Sequence, residues 1–181
     1  CRSTLFHGPE TERLARLVES IEPQLATILG TGERPLFLSV IQGSEEQELR
    51  FPDGLEAAVD PAEEDALYAL LDAERAQAGR PPLQRDPLLR AVARDHAREM
   101  FELRYLSHLS PRTGKPSERL AARGIPFGVM GEIVAYAPNA ALAHQGFLRS
   151  RSHRANLLDP RFERVGIGAV SAGVHGKLYV Q

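Results

Sequence analysis

The strongest constraint on the fold is a helix-start signal that occurs twice, at Asp60-Pro61 and again at Asp86-Pro87. In each signal the aspartate can cap the first turn, and the proline fits the first helical position, where its missing N–H is no loss. Apolar residues then recur at helical spacing, as expected for a helix that buries one face. The middle of the chain is therefore predicted to hold two amphipathic helices, the first of which ends at Gly79.

The second of these helices carries a histidine on its apolar face. His96 falls on the same stripe as Val92 and Met100. Buried polar groups in proteins are almost always hydrogen-bonded. We therefore expect a buried His96 that is bonded to backbone or to another side chain, and not a ligand.

The last third of the chain mixes strand and helix signals. Residues 165–170 and 177–180 are β-prone and are separated by a turn at Gly173, which predicts an antiparallel hairpin. Residues 125–136 predict an extended segment, and Asn139 is placed to cap another helix that runs to about Ser150.

The first third of the chain carries no recognisable chemistry. Apolar spacing predicts a helix over residues 9–29, which Pro23 would kink. Residues 36–41 and 47–51 predict short strands. We therefore divide the chain into an N-terminal extension, residues 1–60, and a second domain, residues 61–181.

Composition narrows the class of protein. The formal net charge is −2, which argues against a nucleic-acid partner, and no apolar run is long enough to cross a bilayer. The single cysteine, Cys1, excludes an intrachain disulfide. A mature chain that begins with cysteine is what remains after a bacterial lipoprotein signal is cleaved, so one interpretation of Cys1 is an acyl anchor. The other is a chain boundary that falls at a cysteine by chance.

Three distant segments each place one ionisable side chain in a short, turn-rich context: His108, Glu132 and His153. We predict that these three side chains meet in space. Two imidazoles and a carboxylate are a common ligand set for Zn²⁺ and similar metals. The same three groups could equally form a hydrogen-bonded cluster without metal.

The order of motifs from residue 62 to residue 181 resembles the CAP superfamily of cysteine-rich secretory, antigen 5 and pathogenesis-related 1 proteins. The similarity is greatest to its bacterial, disulfide-free branch. The matching segments are Leu71-Asp72-Ala73-Glu74-Arg75, Ala93-Arg94-Asp95-His96-Ala97, Ser107-His108-Leu109-Ser110-Pro111, Gly131-Glu132-Ile133, Ser152-His153-Arg154-Ala155-Asn156-Leu157-Leu158 and Val165-Gly166-Ile167-Gly168.

This resemblance implies an α+β fold, an α-β-α sandwich with a central antiparallel sheet. It also implies a surface cleft with two histidines and two glutamates. His108, Glu132 and His153 stand at three of those positions, and the second glutamate is replaced near Ser150. Ile133 stands where the family has an asparagine after the glutamate. We place His108, Glu132, Ser150, His153 and Asn156 at a ligand cleft.

Three functions compete. In the first, the protein is a monomeric, secreted or cell-envelope binding module for a small, lipid-like or cell-envelope ligand. In the second, it is a hydrolase in which His108 and His153 bind Zn²⁺ or another divalent metal and Glu132 activates a water. In the third, the cluster is purely structural. We take the binding module as the working interpretation.

Overall fold

The structure is a computed structural model that describes residues 25–29, 35–41, 43 and 45–181. Strands and helices are interspersed along the described part of the chain. The strands are β1 (Leu25–Leu29), β2 (Pro35–Val40), β3 (Glu46–Glu48), β4 (Ala58–Val59), β5 (Gln84–Arg85), β6 (Tyr105–Ser107), β7 (Val134–Ala137), β8 (Arg164–Val165), β9 (Gly168–Ser171) and β10 (Lys177–Val180). The helices are α1 (Pro61–Gln77), α2 (Pro87–Leu103), α3 (Pro116–Ala122), α4 (Ala140–Arg149) and α5 (Arg151–Leu157).

The predicted helix starts are confirmed by their caps. The carboxylate of Asp60 accepts a hydrogen bond from the amide of Glu63 at 3.3 Å, at the start of α1. Asp86 accepts from the amide of Leu88 at 2.8 Å, at the start of α2. Asn139 caps α4 in the same way. Each cap satisfies a helix N–H that has no partner within its own helix.

The main sheet has six strands in the order β1-β2-β7-β10-β9-β4, and every neighbouring pair is antiparallel. The predicted hairpin is confirmed as β9 and β10, joined by a short 3-10 turn at Gly173–His175. Across the central strands, Tyr136 lies opposite Leu178, which lies opposite Val170. The chain neighbours of these residues point to the opposite face, as the pleat requires.

Helices cover both faces of this sheet. Tyr136, Leu178 and Val170 belong to one buried cluster together with residues of α2. Ala135 and Tyr179 belong to a second cluster, which includes buried residues of α1, α4 and α5. The predicted α-β-α sandwich is thus confirmed.

The N-terminal part of the chain differs from the prediction. Residues 25–29 form β1 and pair with β2, so the helix predicted over residues 9–29 is wrong there; its earlier part lies outside the described residues. The pairing partner supplied by β2 outweighs a local helical spacing of apolar residues. The strand predicted over residues 36–41 is confirmed as β2. Of the second predicted strand, residues 47–51, only the first two residues lie in a strand, β3.

Strand β2, which lies in the predicted N-terminal extension, is part of the sandwich. Leu38 and Val40 lie in the cluster beneath α4. Gly146 of α4 faces them, since a Cβ atom there would lie 2.7 Å from Val40 Cγ2 and 3.0 Å from Leu38 Cδ1. Only glycine allows the helix and the strand to approach this closely.

His96 lies where its sequence context predicts. The side chain is buried, and its Nε2 is 2.9 Å from the carbonyl oxygen of Ser107. Burial lowers the pKa of His96, so the neutral ring donates this hydrogen bond. His96 thereby holds the end of β6 at Ser107 against α2, and His108 is the next residue after Ser107.

Candidate functional site

The structure brings the three predicted side chains together. His108 follows β6, Glu132 precedes β7, and His153 lies in α5. His108 Nδ1 is 3.0 Å from Glu132 Oε1. His153 joins the group through the backbone, because its Nε2 and that of His108 both face the carbonyl oxygen of Ile41.

The second oxygen of Glu132 is bound by an arginine that the sequence did not indicate. Arg119 of α3 donates from Nη2 to Glu132 Oε2 at 2.5 Å. Its Nη1 donates to the carbonyl oxygens of His108, at 3.1 Å, and Gly114, at 2.8 Å. The side chain is only 5% exposed, so this is a buried ion pair. A buried carboxylate needs a cationic or hydrogen-bonding partner, and this requirement is the one signal in the sequence that could have pointed to Arg119.

The electrostatic environment keeps Glu132 ionised. Burial by itself raises the pKa of Glu132, but the hydrogen bond from His108 and the charge of Arg119 outweigh burial, so the pKa is lowered overall. A carboxylate held between two donors in this way is a poor general base.

His153 is neutral at physiological pH. Burial lowers its pKa to about 4, although the hydrogen bond to Ile41 opposes the shift. Its Nε2–H donates to Ile41 O at 2.7 Å. Its Nδ1 then carries a lone pair, and this buried atom has no hydrogen-bond partner among the described residues.

His108 has acceptors on both sides. Its Nδ1 faces Glu132, and its Nε2 lies 3.3 Å from Ile41 O. A neutral imidazole carries one N–H and donates to one of these oxygens, whereas an imidazolium donates to both. The ring of His108 therefore lies between the carboxylate of Glu132 and the carbonyl of Ile41, the residue that follows β2.

The donor atoms in this arrangement do not fit a divalent metal. Zinc ligands direct lone pairs at a common point. Here the Nε2 atoms of His108 and His153 point at a carbonyl oxygen, and Arg119 neutralises Glu132. In the part of the chain that the structure describes, no group of three His, Cys, Asp or Glu side chains could hold a metal ion.

The two remaining residues of the predicted cleft lie at the start of α5, the helix that carries His153, and further along it. Ser150 caps α5, and its Oγ accepts from the amide of His153 at 3.5 Å. Asn156 lies one turn further along and lines a separate pocket. Cys1 lies outside the described residues.

That pocket lies next to the cluster and has a volume of about 390 Å³. It lies between α2, α3, residues 125–131 and residues 161–166, and Glu132 borders one side. Its walls are mainly apolar. The apolar residues include Leu89, Val92, Leu120, Ile125, Met130 and Phe162.

Close packing shapes one side of this pocket. A Cβ atom on Gly131 would lie 2.8 Å from Phe162 Cζ and 2.9 Å from Asn156 Oδ1. Only glycine lets the backbone pass between the ring and the amide. Gly131 therefore places the pocket directly beside Glu132. Glu132 belongs both to the cluster with His108 and Arg119 and to the wall of the pocket.

The α-β-α sandwich and the His–Glu cluster, which consists of His108, Glu132 and His153, are the features that the resemblance to the CAP superfamily predicted. A comparison with protein families agrees. The model of the cysteine-rich secretory protein family, CAP, matches residues 68–181. The chain belongs to this family. The predicted resemblance is confirmed.

Several relatives are similar over this region. The chain is 33% identical to Bacillus subtilis YkwD over 115 residues, which are 62% of this chain and 44% of YkwD. It is 31% identical over 119 residues to the membrane protein YlbC of the same organism, covering 65% of this chain and 33% of YlbC. The chain thus spans less than half the length of these relatives.

Solved structures share the fold. An outer surface protein of Borrelia burgdorferi superimposes with a TM-score of 0.65 at 20% identity, over 70% of this chain and 94% of that one. An extracellular protein with an SCP domain from Bacillus anthracis superimposes with a TM-score of 0.60 at 19% identity, over 100% of this chain and 73% of that one.

Proposed function

We propose that the protein is a binding module of the cell envelope or extracellular space, and that its ligand is a small apolar, lipid-like molecule held in the pocket beside Glu132. The observation that carries this proposal is the pocket itself. Its volume of about 390 Å³ falls within the roughly 300–1,000 Å³ of known small-molecule sites. Its mostly apolar walls match those sites as well.

The exposed apolar side chains at the pocket support an apolar ligand. Phe127 is 43% exposed and Val129 is 41% exposed, and both line the pocket. A ligand that covers them removes apolar surface from water. The amide of Asn156 and the carboxylate of Glu132 offer polar contacts at one side, which would orient a ligand with a polar end.

The charges near the pocket favour a neutral ligand over an anion. Arg161 donates to Asp159, and Arg164 donates to Asp86. Each guanidinium therefore already has a carboxylate partner. A free acidic head group would have to compete with both.

The His–Glu cluster is proposed to be structural, and we propose no reaction for it. Glu132 is held by Arg119 and His108, so a hydrolytic mechanism would first have to break a buried ion pair. The cluster fixes the segment that leads from Gly131 into β7. In this way it supports the wall of the pocket.

A binding assay with a matched control tests the proposal. Val129→Glu places a negative charge at the pocket, and we expect it to weaken binding of the fluorescent fatty acid cis-parinaric acid and of its methyl ester by tenfold or more. Val174→Glu makes the same change at a side chain that is 72% exposed and does not line the pocket, so it should leave both affinities unchanged. Equal affinities for all three proteins would refute the proposed site.

The location outside the cytoplasm rests on the relatives. One structural neighbour is described as an outer surface protein and another as extracellular. Among the described residues, no helix has the length and apolar character needed to cross a membrane. The acyl anchor on Cys1 stays a prediction, which palmitate labelling of the wild type and of Cys1→Ser would test.

A further inference from the structure

Two imidazoles meet at one main-chain oxygen. His153 Nε2 lies 2.7 Å and His108 Nε2 lies 3.3 Å from the carbonyl oxygen of Ile41. A carbonyl oxygen has two lone pairs, so it can accept from the Nε2–H of His153 and, when His108 carries a proton on Nε2, from His108 as well. We call His108 and His153 the carbonyl-binding pair, because the group placed between them is a peptide carbonyl.

The carbonyl belongs to Ile41, the residue that directly follows β2, and β2 lies between β1 and β7 in the main sheet. Ser39 lies opposite Tyr136, and Val40 lies opposite Ala135, in antiparallel register with β7. Leu38 and Val40 enter one core cluster, and Ile41 enters the other. Main-chain pairing at a sheet edge with alternate side chains in pockets is how proteins bind extended peptides.

The receptor surface is shaped for these side chains. Gly146 leaves space on α4 for Leu38 and Val40, and any larger residue would meet them at 3.0 Å or less. His153 lies at the Ile41 end of this surface, where it donates to the Ile41 carbonyl. Its ring also packs on Phe147, with 5.8 Å between the ring centroids. A site for an extended peptide needs space that fits the side chains and groups that hydrogen-bond the backbone, and this surface has both.

We infer that the cleft of this CAP domain is a binding site for an extended peptide strand with apolar residues at alternate positions, and that the chain fills it with its own residues 38–41. The carbonyl-binding pair recognises the strand by its backbone. An external ligand reaches the cleft only when β2 opens locally, and such opening occurs without global unfolding. The apolar pocket does not depend on this opening.

Hydrogen exchange tests the role of the carbonyl-binding pair. His153→Leu removes the stronger donor, and we expect the amides of residues 38–41 to exchange about three to ten times faster, as the loss of one hydrogen bond predicts. Amides of β9 and β10 serve as the reference and should keep their protection. His153→Gln retains an N–H of similar reach and should restore slow exchange.

His144→Leu is the matched control, because His144 is also buried in the helices over this face and makes no described hydrogen bond to Ile41. It should leave residues 38–41 protected relative to β9 and β10. If His153→Leu does not fold, His153→Phe, which keeps a ring but has no N–H, replaces it. Unchanged exchange at residues 38–41, or equal acceleration in β9 and β10, would overturn the inference.

A peptide supplied separately tests the binding site itself. Val40→Asp in the full chain places a charge beneath α4 and should open β2. A synthetic peptide with the sequence of residues 35–41 should then raise the melting temperature of this variant saturably, and a peptide with the same residues in reverse order should not. Identical responses to the two peptides would overturn the inference. Binding of cis-parinaric acid methyl ester should stay unchanged throughout, so this test and the pocket test fail independently.

Discussion

Replacing Glu132 by glutamine tests whether the His–Glu cluster holds the fold together without metal. The substitution keeps the shape of the side chain and removes its charge, which leaves the guanidinium of Arg119 buried without its carboxylate. Breaking a buried ion pair by removing one partner typically costs about 3–5 kcal/mol. Arg119 keeps its hydrogen bonds to the carbonyls of His108 and Gly114, so we expect a loss near 3 kcal/mol.

The measurement is urea unfolding in the presence of a chelator, so that no metal contributes. For a chain of this length, a loss of about 3 kcal/mol lowers the melting temperature by roughly 6–12 °C. Glu102→Gln is the control, since the ion pair of Glu102 with Arg112 is about half exposed on both sides. That change should cost less than about 1 kcal/mol.

A double mutant completes the argument. Arg119→Met in the Glu132→Gln background removes the orphaned charge and should recover part of the lost stability, because an apolar replacement of a buried pair is often tolerated. A stability of Glu132→Gln within about 0.5 kcal/mol of the wild type would contradict the structural role. So would a loss that appears only when metal is supplied.

Three further predictions follow from individual contacts. The pKa of His153 in the folded protein is about 4, below its ordinary value of 6.5. The contribution of the neutral ring to stability is therefore complete above pH 6.5 and is lost as the pH falls towards 4, by up to about 3 kcal/mol. The pH dependence of the free energy of urea unfolding should accordingly flatten in His153→Gln. Gly146→Ala should cost about 1–3 kcal/mol through overpacking against β2, measured the same way. Zn²⁺ titration should leave the melting temperature of the wild type unchanged, and a rise abolished by His108→Ala would contradict the geometry described above.

Local signals in the sequence predicted much of the sandwich. Asp60, Asp86 and Asn139 each sit before an apolar helical stripe, and each caps a helix in the structure. The β9–β10 hairpin follows from two β-prone segments around a glycine turn. These features depend on residues close together in the chain, so they can be recognised without coordinates.

Two local predictions were incomplete for a physical reason. Residues 25–29 have apolar spacing suited to a helix, but they pair with β2. The short helix α5 was not predicted, because its stabilisation is tertiary: buried Arg75 of α1 donates to the carbonyl of Leu157 at 2.8 Å. Its cap, Ser150, gives only a weak signal without an apolar stripe.

The sequence by itself determined that His108, Glu132 and His153 belong together, because their motifs occur in the order of a known family. Tertiary structure alone decided what they meet. Arg119 and the carbonyl of Ile41 belong to no motif, since a guanidinium is selected here by a buried charge and a carbonyl is present in every residue. Which backbone oxygen lies between two imidazoles is a property of strand register, and register is set by the packing of both faces of the sheet.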